Sequence, residues 1–266
     1  MVLKLWQVDA FAARPLEGNP AAIVPLEAWL DDGLMQRIAG ENNLSETAFL
    51  VKTAPGRYDL RWFTPASEVD LCGHATLASA WTVFNVLEPE ADTVAFATRA
   101  GTLTVERGPD ARLTMSLPTE VMKPAESGLA QSIAAALAAP APREVFAGSN
   151  LMAVWDDPAD VRALKGPGNI AAVLAPELGL IATAPGDGGY DFISRYFAPH
   201  HGIPEDPVTG SAHCALVPYW AKRLGKTSLK ARQVSARGGD LLCTDDGART
   251  ILSGPCALYM TGEIFV

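Results

Sequence analysis

The chain is poor in the features that mark several large protein classes. Cysteine occurs four times in 266 residues, at Cys72, Cys214, Cys243 and Cys256, with no Cys-x-x-Cys pair and no metal spacing. That scatter argues against a disulfide framework and suits a reducing compartment. Positive charge is scarce too: 21 Lys and Arg against 30 Asp and Glu leave a net charge of −9, and no basic cluster interrupts the acidic balance. Nucleic acids and anionic membranes need a basic surface, so neither is expected as a partner. No apolar run is long enough to span a bilayer. The opening residues, Met1-Val2-Leu3-Lys4-Leu5-Trp6, enter a strand pattern directly and lack the apolar core of a signal peptide. A cytoplasmic location is the expectation. Neither a dinucleotide fingerprint nor a phosphate loop is present, and Gly186-Asp187-Gly188-Gly189 reads as a hairpin turn.

What the chain does contain is a pattern that occurs twice. Arg61-Trp62-Phe63-Thr64-Pro65 leads through an acidic loop to Gly73-His74-Ala75-Thr76-Leu77, and Arg195-Tyr196-Phe197-Ala198-Pro199 leads to Gly210-Ser211-Ala212-His213. Each copy reads as an aromatic strand, a turn at proline, and a glycine opening an apolar helix. The copies lie roughly half a chain apart, so two similar domains are expected. The boundary falls in the turn-rich segment 118–124, giving residues 1–118 and 119–266, with a final strand able to pack back on the first half. Many short strands with few helices between them argue against a parallel βαβ fold. They favour an α+β architecture of mixed sheets, each curled around one helix. Asp31 or Asp32 should cap a helix ending near Gly40, and Asp157-Pro158 should start another. Strands are expected over 44–51, 145–154 and 233–236. Pro218 lies inside the second apolar helix and should leave the Cys214 carbonyl without its helical partner.

Glu46 is the most informative single residue, because the two-residue strand period puts it on one face with Leu44, Ala48 and Leu50. A carboxylate on an apolar face has its pKa raised by desolvation and can exchange protons near neutral pH, unless that face is exposed or a basic residue pairs with it. His74 follows Gly73 at the start of the first apolar helix, where backbone N–H groups and the helix dipole favour an anion. Gly210, Ser211 and Ala212 stand at the start of the second. Two such helix starts facing one cleft would hold a substrate carboxylate, although Ser211 alone reads equally as an ordinary cap. Asp206 fits a capping role or a place in the cleft, and Asn19 fits a turn. Cys72, beside Gly73, could be an activated thiolate. The matching segment Thr209-Gly210-Ser211 has no cysteine, so a two-thiol mechanism lacks half its parts. His200, His201, His213 and Cys214 match no metal-ligand spacing, and the adjacent histidines would point apart in a strand.

Four segments in order resemble the phenazine-biosynthesis PhzF-like isomerase family. They are Val8-Asp9-Ala10-Phe11 with Gly18-Asn19-Pro20; Asn43-Leu44-Ser45-Glu46-Thr47-Ala48-Phe49; Phe63-Thr64-Pro65 with Glu68-Val69-Asp70-Leu71-Cys72-Gly73-His74-Ala75-Thr76; and Glu205-Asp206-Pro207-Val208-Thr209-Gly210-Ser211-Ala212-His213. The resemblance implies a diaminopimelate-epimerase-like fold of two pseudo-symmetric domains, a homodimer, and catalysis without a cofactor; the spacing above gives no metal site. It implies that Glu46 removes a proton from one carbon of a small cyclic or unsaturated acid and returns it at another, assisted by His74, Asp206 and Ser211. Gly73, Gly210 and Ala212 would bind the substrate carboxylate, and Asn19 would line the pocket. Related epimerases carry paired cysteines at the two helix starts; here glycine replaces the second, which favours a glutamate-based isomerase. The alternatives are an amino-acid racemase or epimerase using Cys72, and a non-catalytic carboxylate-binding protein.

Overall fold

Strand alternation at the start of the chain forms β1 (Val2–Ala10), which returns antiparallel as β2 (Asn19–Leu26). The return depends on Gly18: its φ is +63°, and a Cβ there would lie 2.1 Å from the carbonyl oxygen of Ala10. Only glycine allows that approach, and it places Asn19 at the head of β2. The computed structural model describes residues 1–266 except the side chain of Pro109. They divide into two units, the first made of residues 1–117 with 251–266 and the second of residues 118–250.

In the first unit, α1 (Asp32–Asn42) begins where the Asp31 carboxylate accepts the N–H of Leu34 at 3.2 Å. It runs past Gly40 and ends at Asn43, whose left-handed φ of 48° breaks the helix. There follow β3 (Glu46–Ala54), β4 (Arg57–Phe63), β5 (Glu68–Val69), α2 (Gly73–Thr82), β6 (Thr93–Thr98), β7 (Gly101–Arg107) and β8 (Leu113–Pro118). Met35 and Ile38 of α1 cover one face of the sheet through Leu5, Ala22, Val24, Phe49 and Phe63. On β1, β2 and β3 also packs α2, whose residues are almost all buried. Covered in this way, Glu46 to Leu50 are all buried, where the alternating pattern had suggested a strand with one face in solvent.

The second unit contains β9 (Lys123–Pro124), α3 (Leu129–Leu137), β10 (Glu144–Ala147), β11 (Leu151–Val154), α4 (Pro158–Ala163), β12 (Leu180–Pro185), β13 (Phe192–Ala198), β14 (Ile203–Asp206), α5 (Gly210–Leu224), β15 (Ser228–Gln233) and β16 (Gly239–Asp246), and most of β17 (Arg249–Gly254) already belongs to the first. Ile133, Leu137 and Val161 from α3 and α4 close over Leu151, Leu180, Ile193 and Phe197. Trp220 of α5 stacks on Phe192 at 5.9 Å and donates its indole N–H to Thr183 at 3.0 Å. The last strand, β18 (Cys256–Phe265), pairs antiparallel with β1 and so belongs to the first unit.

The duplication is real at the level of strand pairing. In the first unit β2–β3 and β4–β6 are parallel, while β1–β2, β3–β4, β4–β5 and β6–β7 are antiparallel. In the second, β11–β12 and β13–β15 are parallel, while β10–β11, β12–β13, β13–β14 and β15–β16 are antiparallel. Strand for strand the order is the same, and the fold is α+β with mixed sheets.

Several expectations change. The segment 145–154 is two strands with a turn at Gly148-Ser149-Asn150, and the strand expected over 233–236 ends at Gln233. The chain after 250 leaves the second half. His200 and His201 lie in a single 3₁₀ turn, Pro199–His201, not in a strand. The Cys214 carbonyl that Pro218 deprives of its helical donor accepts the N–H of Glu120 at 3.0 Å instead, so the proline creates a docking point for the segment opening this unit. Among the described residues no helix is long and apolar enough to cross a membrane.

Candidate active site

The parallel pairing of β2 with β3 sets Ala21 opposite Glu46, so Asn19 and Glu46 occupy neighbouring strand starts beside the first turn of α2. There Glu46 Oε2 lies 2.9 Å from His74 Nε2, and neither atom has a hydrogen-bond partner elsewhere among the described residues. His74 Nδ1 lies 3.1 Å from the amide nitrogen of Asn19 and 3.5 Å from Cys72 Sγ. The hydroxyl of Ser45 in turn donates to Asn19 Oδ1 at 3.0 Å. With the amide in this orientation Nδ1 is the acceptor and Nε2 carries the proton toward Glu46. Turning the amide over exchanges donor for acceptor, and a hydroxyl serves either way, so Ser45 and Asn19 can support both protonation states of the ring.

Burial opposes charge on the His74 ring, but the adjacent Cys72 sulfur and Glu46 carboxylate outweigh it and hold its pKa well above the ordinary histidine value. Of those two neighbours the carboxylate matters at neutral pH. Burial, with a smaller contribution from Glu46, pushes the Cys72 thiol up to about 11, so it stays protonated. Cys72 occupies the cap position of α2 with extended backbone, and no side chain caps that helix. Its carbonyl accepts the Thr76 hydroxyl at 2.5 Å.

In the second unit Asp206 ends β14, buried, and its carboxylate accepts the Thr209 hydroxyl at 2.5 Å. Gln233, the last residue of β15, donates to the Asp206 carbonyl at 2.7 Å and to the Thr209 hydroxyl at 3.2 Å, and accepts the Thr209 N–H at 2.8 Å. This carboxamide ties the approach to α5 in place. Asp206 does not cap the helix: Thr209 holds that position, with no side-chain cap bond. Gly210 and Ala212 are buried in the first turn and Ser211 is half-buried between them. Below them His213 donates Nδ1–H to the Thr209 carbonyl at 2.8 Å, and burial lowers its pKa to about 4.

Sequence reasoning thus named Glu46, His74 and Asn19, which the structure brings into one connected chain, and Asp206, Gly210, Ser211 and Ala212, which it gathers at the start of α5. Asn19, expected to line a pocket, is fully buried with both ends of its amide engaged and holds the His74 ring. Ser45, Thr209 and Gln233 were missed as site residues. Ser45 and Thr209 lie inside two of the segments that carry the family resemblance, whereas Gln233 gives no local signal because it acts from a distant strand. The histidines considered for metal are spent on backbone: His200 Nε2 lies 2.9 Å from the Ala171 carbonyl and His201 Nε2 lies 3.3 Å from that of Glu177.

The model of the PhzC-PhzF family, described as phenazine biosynthesis-like protein, matches residues 8–262. The chain belongs to that family. It is 48% identical over 266 residues, 99% of each chain, to an uncharacterized isomerase of Pseudomonas aeruginosa. It superposes on the crystal structure of a PhzF-family phenazine biosynthesis protein from Enterococcus faecalis with a TM-score of 0.92, at 42% identity and with 100% of each chain covered. A hydroxyproline epimerase from Agrobacterium vitis matches with a TM-score of 0.61 at 13% identity, covering 99% of this chain and 92% of that one; this shows the shared fold alone. The chain is a PhzF-like isomerase.

Proposed function

We propose that this PhzF-like isomerase moves a proton between two carbons of a small cyclic or unsaturated carboxylic acid, with Glu46 as the acid/base and no cofactor. The observation that carries the reading is the buried Glu46 carboxylate, which faces His74 and, among the described residues, pairs with no lysine or arginine. A carboxylate held this way can take a proton from carbon and, without leaving its place, return it to another carbon of the same substrate. The His74 ring, oriented through Asn19 and Ser45, stabilises the carboxylate when charged and can hold a proton in transit. The backbone N–H groups that open α2 at Gly73, in the unit that carries Glu46, suit a substrate carboxylate. A thiol mechanism fits poorly, because the Cys72 pKa of about 11 leaves little thiolate at neutral pH.

The test is solvent deuterium incorporation. The protein in D₂O is given dihydro-hydroxyanthranilate and a panel of small amino and unsaturated acids, and NMR follows label at carbon. Wild type should label one of them, and Glu46→Gln should lower the rate by about 10²-fold or more. Equal labelling by the variant would remove Glu46 from the mechanism. Labelling that survives in Glu46→Gln but disappears in Cys72→Ala would transfer the role to the thiol.

A further inference from the structure

The cluster at the start of β3 and α2 carries a second chemistry. Glu46, Cys72 and His74 present an oxygen, a sulfur and a nitrogen donor whose ligating atoms all lie within 4.8 Å of one another. The three residues are 8%, 7% and 4% exposed. Two of the donors, Glu46 Oε2 and His74 Nε2, face each other at 2.9 Å, buried, and neither has another hydrogen-bond partner among the described residues. Their only mutual link is one shared proton, so an ion that displaces it breaks no other bond of either atom. We propose that Glu46, Cys72 and His74 form a zinc site, and that a Zn²⁺ ion bound there blocks proton transfer. The inhibitory half rests on the role proposed for Glu46; the metal half does not.

The donor set decides the metal. Magnesium and calcium take oxygen ligands, whereas one thiolate, one imidazole and one carboxylate suit zinc. Zinc bonds of about 2.0–2.3 Å place neighbouring tetrahedral ligands about 3.5 Å apart. The 2.9 Å contact between Glu46 Oε2 and His74 Nε2 therefore has to open by about half an ångström, and Cys72 Sγ, 3.5 Å from Nδ1, has to turn toward the Nε2 side of the ring. As Sγ bonds to the ion, the thiol proton leaves to solvent. The resulting thiolate sits at the cap position of α2, where the positive end of the helix dipole favours it. Thiolate and carboxylate together balance the charge of the ion, which a buried site requires. The ring nitrogen not on the metal retains a hydrogen-bonding partner of the kind that commonly orients zinc-bound histidine: Asn19, itself held by Ser45. Three protein ligands leave a fourth position for water. The spacing of these residues in sequence hides the site, because β3 and α2 bring them together only in the folded unit.

The consequence for function is direct. An ion on Glu46 and His74 occupies the lone pairs that would otherwise take and hold the proton, so zinc should act as a reversible off switch.

The experiment uses the full chain, treated with EDTA, desalted, and titrated with Co²⁺ and then Zn²⁺. Co²⁺ should bind at one per chain with a thiolate-to-cobalt absorption in the near ultraviolet, and Zn²⁺ should abolish that band by displacement. Cys72→Ser should remove the band, and His74→Gln should weaken binding about tenfold or more, whereas His200→Ala with His201→Ala should change neither. Deuterium exchange by the wild type should fall in proportion to bound zinc and return with EDTA. Co²⁺ bound to wild type without the thiolate band would overturn the proposal whatever the variants do, as would a band surviving in Cys72→Ser. Exchange that persists at full zinc occupancy would overturn the switch. Absence of exchange in the metal-free chain counts against the isomerase reading alone, because the spectroscopic site is measured independently of activity.

Discussion

His74 is held between a carboxylate, a thiol and an amide, and the three partners together decide when it carries charge. Because its folded pKa lies well above the unfolded value of about 6.5, the folded state binds the extra proton over a window that opens at that value. The stability it contributes is therefore fully present below about pH 6.5 and is lost as pH rises through the elevated folded pKa. Melting temperatures of wild type and His74→Gln should differ most at pH 6 and converge toward pH 9; a gap that widens with pH would show that the ring is held neutral. Glu46 and His74 were legible as separate candidates, one from strand periodicity and one from its place after a glycine. Their 2.9 Å contact was not legible, since it depends on β3 and α2 packing together. Asn19 misled for the opposite reason: between a glycine and a proline it has the local signature of a turn, and only Gly18 closing on the Ala10 carbonyl brings it to the His74 ring.

The repeated Arg-x-Phe that first suggested duplication turns out to be a clamp made twice, once on each of two equivalent strand pairs. Arg61 of β4 forks onto Glu68 of β5 at 2.7 and 2.8 Å, with its guanidinium 5.2 Å from the Phe63 ring centroid. Arg195 of β13 forks onto Glu205 of β14 at 2.7 and 2.8 Å, and stands 5.0 Å from the Phe197 ring centroid. The arginine and the phenylalanine were visible in sequence; the glutamate was not, because loops of different length separate it from its arginine. Each clamp pins the short strand that precedes a central helix, so in the second unit it also fixes the backbone of Asp206. The two clamps differ in depth. Arg195 is more buried than Arg61 and also donates to the carbonyls of Val161 and Leu164 at the end of α4, whereas Arg61 donates to the exposed Asp32. Arg195→Met leaves Glu205 without its cation and should cost about 3–5 kcal/mol in urea unfolding, with part recovered by adding Glu205→Gln. Arg61→Met should cost less. Equal losses at the two positions would mean that burial is not what sets the strength of the clamp.

Chain order and spatial order part company at the level of the whole molecule, and that has a consequence for which pieces can fold. The second unit is one continuous stretch, 118–250, whereas the first is assembled from both ends of the chain. β18 runs along β1 from Phe265 opposite Val2 to Cys256 opposite Ala10, and Thr114 of β8 donates to Ser253 at 3.0 Å. A final strand was readable, and the option that it packs back on the first half was open. Its partner was not readable, because a strand's own pattern of apolar residues says which face is buried and nothing about which neighbour supplies its hydrogen bonds. Without residues 251–266, β1 keeps β2 on one side but exposes its other row of N–H and C=O groups, the arrangement that invites aggregation. A fragment of residues 118–250 should therefore unfold cooperatively on heating, while residues 1–117 alone should aggregate or melt without a transition. Residues 1–117 joined by a short glycine-serine linker to 251–266 should regain a cooperative melt in circular dichroism. A cooperative transition in residues 1–117 alone would show that β18 is dispensable to the unit carrying Glu46 and His74. Failure of the joined fragment where 118–250 succeeds would show that the first unit draws its stability from the second.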